Sequence, residues 1–392
     1  MISVSEALDL LFALAEPLPV EKVPLGEAVS RVLAVPVTTT MTQPPFAASA
    51  MDGYAVIGDH AAPGASFKVI GEAAAGRGFD GDVASGEAVR IFTGAPVPAN
   101  ATRVIIQEDV TREGDYITLN EDLDRGTHIR PAGGDFEAGQ SFDAPRLLTP
   151  TDVALLAAMN IAAVPVTRRP KVAIMSTGDE LVMPGETPGP DQIIASNAFG
   201  LKAMLELLGA EARLLPIARD SKESLEMAFS LIDDADLLLT IGGASVGDHD
   251  LVGEVAADLG MERSFYKIAM RPGKPLMAGR LKSGAMMIGL PGNPVSAMVC
   301  GEIFVTPVIR SMLGLGAAAA PRRVATLSEP IGANGPREHY MRALVENRQI
   351  SAFSSQDSAL LSVLSQANAL LIRPPFAPAI EAGEDVEYIA VC

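Results

Sequence analysis

The sequence predicts a multidomain fold of the α/β-plus-β class, with a central parallel-sheet α/β unit set among β-rich segments. Three observations carry the prediction. Between residues 171 and 314, short apolar runs alternate with helix-period segments, the pattern of a parallel sheet covered on both faces. Gly, Pro and short β-like runs dominate residues 44–136. Short strands return after the GLGAAAAP stretch at Gly314–Pro321. A chain of 392 residues has room for about two to four domains of ordinary size.

The elements follow in order. Ser3-Val4-Ser5-Glu6 fits a capping box, and Val4, Ala7, Leu8, Leu11, Leu14 and Ala15 mark one helical face until Pro17 and Pro19 end it. A second short helix is expected over Leu25–Val32. The β-rich part offers strands at Phe67–Ile70, Ala88–Phe92, Val104–Gln107 and Tyr116–Leu119. Thr151–Met159 reads as a capped helix and Ala162–Val166 as a strand, with a junction at Arg168-Arg169-Pro170. The last segment offers strands at Arg323–Leu327, Tyr340–Val345, Ala369–Ile372 and Val386–Val391, and a small helix near Ser358–Ser365. That segment is expected to form a compact β-barrel.

Three strand-to-loop junctions in the α/β part point to chemistry. Leu237–Ile241 is a short apolar run that enters GGASVGDHD, and a helix-period segment with Leu251, Val255 and Leu259 follows. A strand feeding a small-residue loop and then a helix presents bare backbone N–H groups to an anion. No lysine closes the loop, so it is not a nucleoside-triphosphate P-loop. Asp248 and Asp250 suggest a divalent cation between loop and ligand; solvated acids on a structural turn are the bland alternative. Lys171–Met175 runs into STGDEL, and Met286–Leu290 into PGNP. In open parallel sheets ligands bind beyond the carboxyl ends of the strands, so three such ends make that edge a site. Between them KIAMRPGKP gathers Lys267, Arg271 and Lys274, a pattern suited to anion recognition.

Composition narrows the function classes. Thirty Lys and Arg against 48 Asp and Glu give a net charge of −18, which argues against nucleic acid and anionic membrane surfaces. An anionic substrate then depends on a local basic cluster, since charges beyond about 8–10 Å are screened. Two cysteines exclude a disulfide scaffold and a Cys-rich zinc site. Four scattered histidines lack ligand spacing. No basic secretory leader and no run of about 20 apolar residues is seen, so the expected setting is cytoplasmic, without a membrane span.

A second motif group lies in the β-rich part: PPFAASAMDGYAV at 44–56, RIFTGAPVP at 90–98 with RVIIQE after it, and RPAGGD at 130–135. Each alone reads as a turn. In order with STGDEL, GGASVGDHD, KIAMRPGKP and GLPGNPVSA, they resemble the molybdopterin molybdotransferase family, which includes MoeA and the gephyrin E domain. The resemblance spans residues 1–392.

It implies insertion of molybdenum from molybdate into adenylylated molybdopterin with release of AMP, and the use of Mg²⁺. It also implies an elongated homodimer and a transient contact with the molybdopterin adenylyltransferase. The implied plan is a helical/β dimerisation region (1–43 and 137–167), an inserted β-rich domain (44–136), an α/β molybdopterin-binding domain (168–314) and a C-terminal β-barrel (321–392). By motif, the catalytic residues carried over are Asp52, Thr93, Asp135, Glu180, Asp220, Asp250, Lys267, Arg271 and Lys274. Glu180, Asp220 and Asp250 form the implied metal set. Substrate contacts fall to Gly178, Gly242, Gly243, Ser245, Gly247, Pro291, Gly292, Asn293, Arg342 and Ser358. Arg271 stands where the family usually has Lys, which keeps the charge, and Gly134 where it often has Glu. Two rival functions have distinct signatures. Adenylylation of molybdopterin goes with a single-domain chain and a GGTGxxxRD loop, and a gephyrin-type scaffold would lack turnover.

Overall fold

The computed structural model describes residues 1–243 and 251–391. Its centre is a six-stranded sheet in the order Glu211–Leu214, Lys171–Ser176, Leu237–Ile241, Met286–Leu290, Met277–Arg280, Glu262–Tyr266. All five positions of Leu237–Ile241 are buried, because the strand is paired on both edges and covered on both faces. Its side chains alternate between two cores. Leu237, Leu239 and Ile241 join one with Leu201, Leu205 and Val295, while Leu238 joins the other with Leu225, Val252 and Met287. Asn197–Leu207 and the helical run from Pro294 to Met312 contribute to the first core, Lys222–Phe229 and Leu251–Asp258 to the second.

The sheet is mixed rather than wholly parallel. Four strands run parallel, but Met277–Arg280 is antiparallel to both Met286–Leu290 and Glu262–Tyr266. The turn between Arg280 and Met286 is too short for the crossover that a parallel pair requires.

The capping box at Ser3 is present: Ser3 Oγ accepts from the Glu6 N–H at 3.1 Å, and the Ser3 N–H donates to Glu6 Oε2 at 2.7 Å. The helix Val4–Leu14 buries Val4, Ala7, Leu8 and Leu11 in the first core of the central sheet. The expected helix over Leu25–Val32 does not form. Only Leu25–Glu27 makes a 3₁₀ turn, Ser30 adopts φ 61°, and Val32–Leu33 becomes a strand. The next layer decides this: Leu33 pairs with Val166 and Arg146, and buried Arg31 donates to Glu21 at 2.5 Å and to the Thr167 carbonyl at 3.0 Å.

Residues 53–119 carry a second six-stranded sheet, ordered Arg103–Ile106, Gly53–Val56, Glu87–Ile91, Ser66–Ala73, Tyr116–Leu119, Val110–Glu113. Towards the C-terminus, Glu338–Glu346 pairs with Gln349–Ala352 on one edge and Ala369–Arg373 on the other. Arg322–Leu327 and Asp385–Ala390 complete the circuit, so the pairing returns to the strand where it began.

Among the described residues, the run Pro294–Met312 is the nearest the chain comes to a long apolar segment, though Glu302 and Arg310 interrupt it. With 19 residues and a mean hydropathy of 1.4 it has the length and composition of a membrane span, yet 78% of it is buried inside the protein. Val295, Val299, Phe304 and Ile309 all pack in the first core, which accounts for its apolar character.

His339 is buried beside four guanidiniums. Burial first, then the charges of Arg271, Arg342, Arg337 and Arg373, push its pKa down to about 4. The unfolded chain binds a proton on this ring near pH 6.5, so unfolding takes up a proton between these values and stability falls as pH drops from 6.5 to 4. His339→Phe is expected to remove this dependence, narrowing the pH 5 to pH 7.5 stability gap by on the order of 1–2 kcal/mol in urea melts. An identical gap in variant and wild type would exclude it.

Candidate functional site

The three glycine-bearing strand ends meet. Thr177, just past Lys171–Ser176, donates its N–H to the Ile241 carbonyl at 3.0 Å, and Gly242 donates its N–H to the Leu290 carbonyl at 3.2 Å. Gly242 has φ 91°, and a Cβ there would sit 2.7 Å from the Thr177 carbonyl. Gly243 has φ 66°, and a Cβ there would sit 2.3 Å from Val252 Cγ2. A Cβ on Gly292 would lie 3.6 Å from the Gly242 Cα, so these two loops touch. Asn197 fixes the third loop by donating Nδ2–H to the Gly292 carbonyl at 2.7 Å. Pro291 is buried under it, whereas Gly292 and Asn293 are exposed. The edge is thus close-packed bare backbone, which lets a flat or anionic ligand approach main-chain N–H groups.

The basic segment is held from both sides. Lys267 and Ile268 donate their N–H groups to the Leu276 and Lys274 carbonyls, each at 3.0 Å. Ile2 pairs with Ile268: its N–H reaches the Lys267 carbonyl at 3.3 Å, and its carbonyl accepts from Ala269 at 2.8 Å. On the far side Met270–Arg271 lies parallel to Glu338–His339. Arg271 and Lys274 are exposed, and Gly273 is buried with φ 110°, where a Cβ would sit 2.4 Å from Cys300 Sγ.

The C-terminal part reaches the same edge. Asn293 donates to Ser358 Oγ at 3.1 Å, and the Val295 N–H donates to the Ser358 carbonyl at 3.1 Å. Arg342, 1% exposed, donates to the carbonyls of Asp357 at 2.7 Å and Ser355 at 3.2 Å and to Gln356 Oε1 at 3.2 Å. Its cation therefore orders the loop that delivers Ser358 to Asn293.

Asp52 and Thr93 form a separate group. Asp52 Oδ1 accepts from both the N–H and the hydroxyl of Thr93, each at 2.8 Å. These two bonds hold the Asp52 carboxyl below its usual range, with a further contribution from the Arg90 charge. Arg90 stacks between Tyr54 and Phe92, 5.0 and 4.7 Å from the ring centroids, and donates to the Gly53 carbonyl at 3.1 Å. Asp135 is exposed on a neighbouring segment, where Gln43 pairs with Phe136 and the Asp135 N–H donates to the Gln43 carbonyl at 3.0 Å. Thr93→Val removes the hydroxyl bond and leaves the N–H bond. The Asp52 carboxyl is expected to titrate at higher pH in the variant, as read by carbon-detected NMR, and an unmoved titration would show that the hydroxyl does not act on it.

The acids expected to hold a metal are arranged in part. Glu180 is exposed beside Gly178, whose φ is 146° and where a Cβ would lie 2.3 Å from Glu180 Oε2. The Asp220 N–H reaches Asp179 Oδ1 at 3.3 Å, and the Gly178 N–H donates to the Ala218 carbonyl at 3.1 Å. Carboxylate oxygens are the donors a hard cation such as Mg²⁺ takes. Among the described residues no three His, Cys, Asp or Glu side chains gather as a metal group. Asp250, with Ser245 and Gly247, lies outside the described residues.

Sequence reasoning missed Thr177, Asn197 and Arg90. Thr177 stands inside the STGDEL motif, and Arg90 opens RIFTGAP. Asn197 carries a weaker signal, a polar residue at the start of the Asn197–Leu207 helix.

The fold and the edge define a class: multidomain proteins in which an α/β unit with a glycine-lined strand edge is joined by β-rich units. Residues 2–160 match the family model of the MoeA N-terminal region (domain I and II), 173–311 that of the probable molybdopterin binding domain, and 324–391 that of the MoeA C-terminal region (domain IV). A molybdopterin molybdenumtransferase of Nostoc sp. is 35% identical over 98% of this chain and 93% of its own length. That of Haemophilus influenzae is also 35% identical, over 94% and 93%. The crystal structure of the Pyrococcus horikoshii molybdopterin biosynthesis moeA protein, 29% identical, aligns over the whole of both chains with a TM-score of 0.84. The chain belongs to the molybdopterin molybdenumtransferase (MoeA) family, whose place is in molybdenum cofactor biosynthesis.

Proposed function

We propose that this protein transfers molybdenum from molybdate to adenylylated molybdopterin and releases AMP. The observation that carries the reading is that the clamped segment bearing Lys267, Arg271 and Lys274 leaves the central sheet at the same edge as the loops of Gly178, Gly242, Gly243 and Gly292, since Tyr266 pairs with Met277, Met277 with Gly289 and Gly289 with Thr240. The backbone N–H groups of Gly243 and Gly292, with Ser245 and Gly247, bind the phosphate side of the pterin nucleotide, while Gly178 and Gly242, whose N–H groups bond the Ala218 and Leu290 carbonyls, let it approach closely. Pro291, Asn293 and Ser358 complete its wall, and Arg342 acts by ordering the Ser358 loop. Lys267, Arg271 and Lys274 capture molybdate and offset the charge that develops as the phosphoanhydride opens. Cleavage of that bond is chiefly positioning and charge neutralisation, so no side-chain nucleophile is needed.

Glu180, Asp220 and Asp250 would hold Mg²⁺, which neutralises phosphate oxygens when bound. Asp52, Thr93 and Asp135 act from a second subunit of a homodimer, because among the described residues the hydrogen bonds of the insert stay within it and its junction with residues 37–43 and 137–142. The domain limits fit this plan: 1–43 with 137–167, then 44–136, 168–314 and 321–392. The closed pairing of the last segment supports a C-terminal β-barrel, and a transient contact with the adenylylating enzyme would supply the substrate.

The test is AMP release from adenylylated molybdopterin with and without molybdate. Molybdate-dependent release is expected. ATP formed when pyrophosphate is added, with no free AMP, would indicate the adenylylation step run in reverse, and neither product would indicate a scaffold.

A further inference from the structure

Lys267 adopts φ 70°, a left-handed conformation that costs a side chain with a Cβ and that glycine would take freely. The strain is retained under three constraints. The Lys267 N–H donates to the Leu276 carbonyl at 3.0 Å, its carbonyl accepts from Ile2 at 3.3 Å, and the next residue is tied to Lys274. The conformation folds the side chain back over the preceding residue: Lys267 Nζ lies 4.8 Å from the centroid of the Tyr266 ring. Arg263 Cζ approaches the same ring at 5.6 Å. That ring is itself fixed. Tyr266 ends the strand Glu262–Tyr266, pairs with Met277, and packs against the second core, to which Leu251 and Val252 at the start of the helix after the glycine loop also belong.

We propose that Tyr266 is a positioning residue for oxyanion capture: its packed ring holds the Lys267 ammonium in place, and the strained backbone at Lys267 is what brings the two together. An unpositioned lysine has four rotatable side-chain bonds to order when an anion binds. A ring under the ammonium removes part of that cost before the anion arrives, and a cation over an aromatic face is attracted to it. Left-handed backbone at a bulky residue, held by three constraints beside cations on this edge, motivates a functional reading. This inference rests on the assignment of Lys267 to the molybdate site.

The experiment separates the two. Molybdate binding to the full-length protein is measured by equilibrium dialysis without pterin, and the molybdate dependence of AMP release is measured alongside it. Tyr266→Leu keeps apolar bulk and removes the ring; it is expected to raise the molybdate dissociation constant and KM about three- to tenfold and to leave kcat within about twofold. Tyr266→Phe keeps the ring and is expected to stay within about twofold of wild type in both. Unchanged affinity in Tyr266→Leu, or equal loss in Leu and Phe, overturns the proposal. Lys267→Gly gives a readout that survives poor folding of the Leu variant. It is expected to raise the melting temperature by relieving the backbone and to weaken molybdate binding at the same time. A lower melting temperature, or undiminished binding, overturns it. Wild-type protein that binds molybdate but releases no AMP would refute the transferase reading, while the dialysis of the variants still decides the role of Tyr266.

Discussion

Gly243→Val is expected to abolish binding of adenylylated molybdopterin, with titration calorimetry showing no heat where the wild type saturates. Two independent costs meet at this position. The backbone has φ 66°, which a β-branched residue adopts only at high cost. A Cβ would also lie 2.3 Å from Val252 Cγ2, on the first turn of the helix that follows the loop. The loop must therefore move, and its main-chain N–H groups leave the edge formed with Thr177 and Gly292. Some stability is lost as well, on the order of 1–3 kcal/mol for strain of this kind. Gly316→Val is the control: Gly316 also has a positive φ, 94°, but nothing lies within 4 Å of its added Cβ. A smaller fall in melting temperature for Gly316→Val, with binding lost only in Gly243→Val, is the expected pattern. Binding retained in Gly243→Val would reduce the glycine loop to a structural turn.

Activity is expected to return when two inactive proteins are mixed. Asp52→Ala removes the carboxylate of the insert, and Lys274→Ala removes a cation of the α/β edge. Under the proposed shared site of a dimer, each parent protein should be nearly inactive. In a mixed dimer with composite sites, one site gathers both lesions and the other gathers neither. Random reassortment makes half of the dimers mixed, so about a quarter of all sites are intact and about a quarter of wild-type turnover should appear. A mixture as inactive as its parents would place all the groups in one chain.

Strands with dense apolar runs were legible: Lys171–Ser176, Leu237–Ile241 and Met286–Leu290 lie where their composition puts them, because full burial demands such runs. Gln349–Ala352 was not, since only Ile350 among its four residues is buried and the strand depends on the tight turn at Asn347 and Arg348, both with positive φ. The failed helix at Leu25–Val32 had helical spacing, but pairing to Val166 and Arg146 lies far along the chain and outweighs a local preference. At the site, glycines and cations were legible as motifs. The role of Arg342 was not, because sequence cannot distinguish a cation that faces a ligand from one that donates to its own main chain. Thr177 and Asn197 were missed for the same reason: both work by bracing a neighbouring loop.

The clamp on the basic segment sets a clock for synthesis. Ile2 leaves the ribosome first, Lys267 much later, and the Glu338–His339 partner of Met270–Arg271 later still. A nascent chain can complete its central sheet and still have one side of the cation loop unpaired. On the proposed reading, in which this segment captures the oxyanion, capture becomes competent only once the C-terminal strand that flanks Met270–Arg271 has been made and docked.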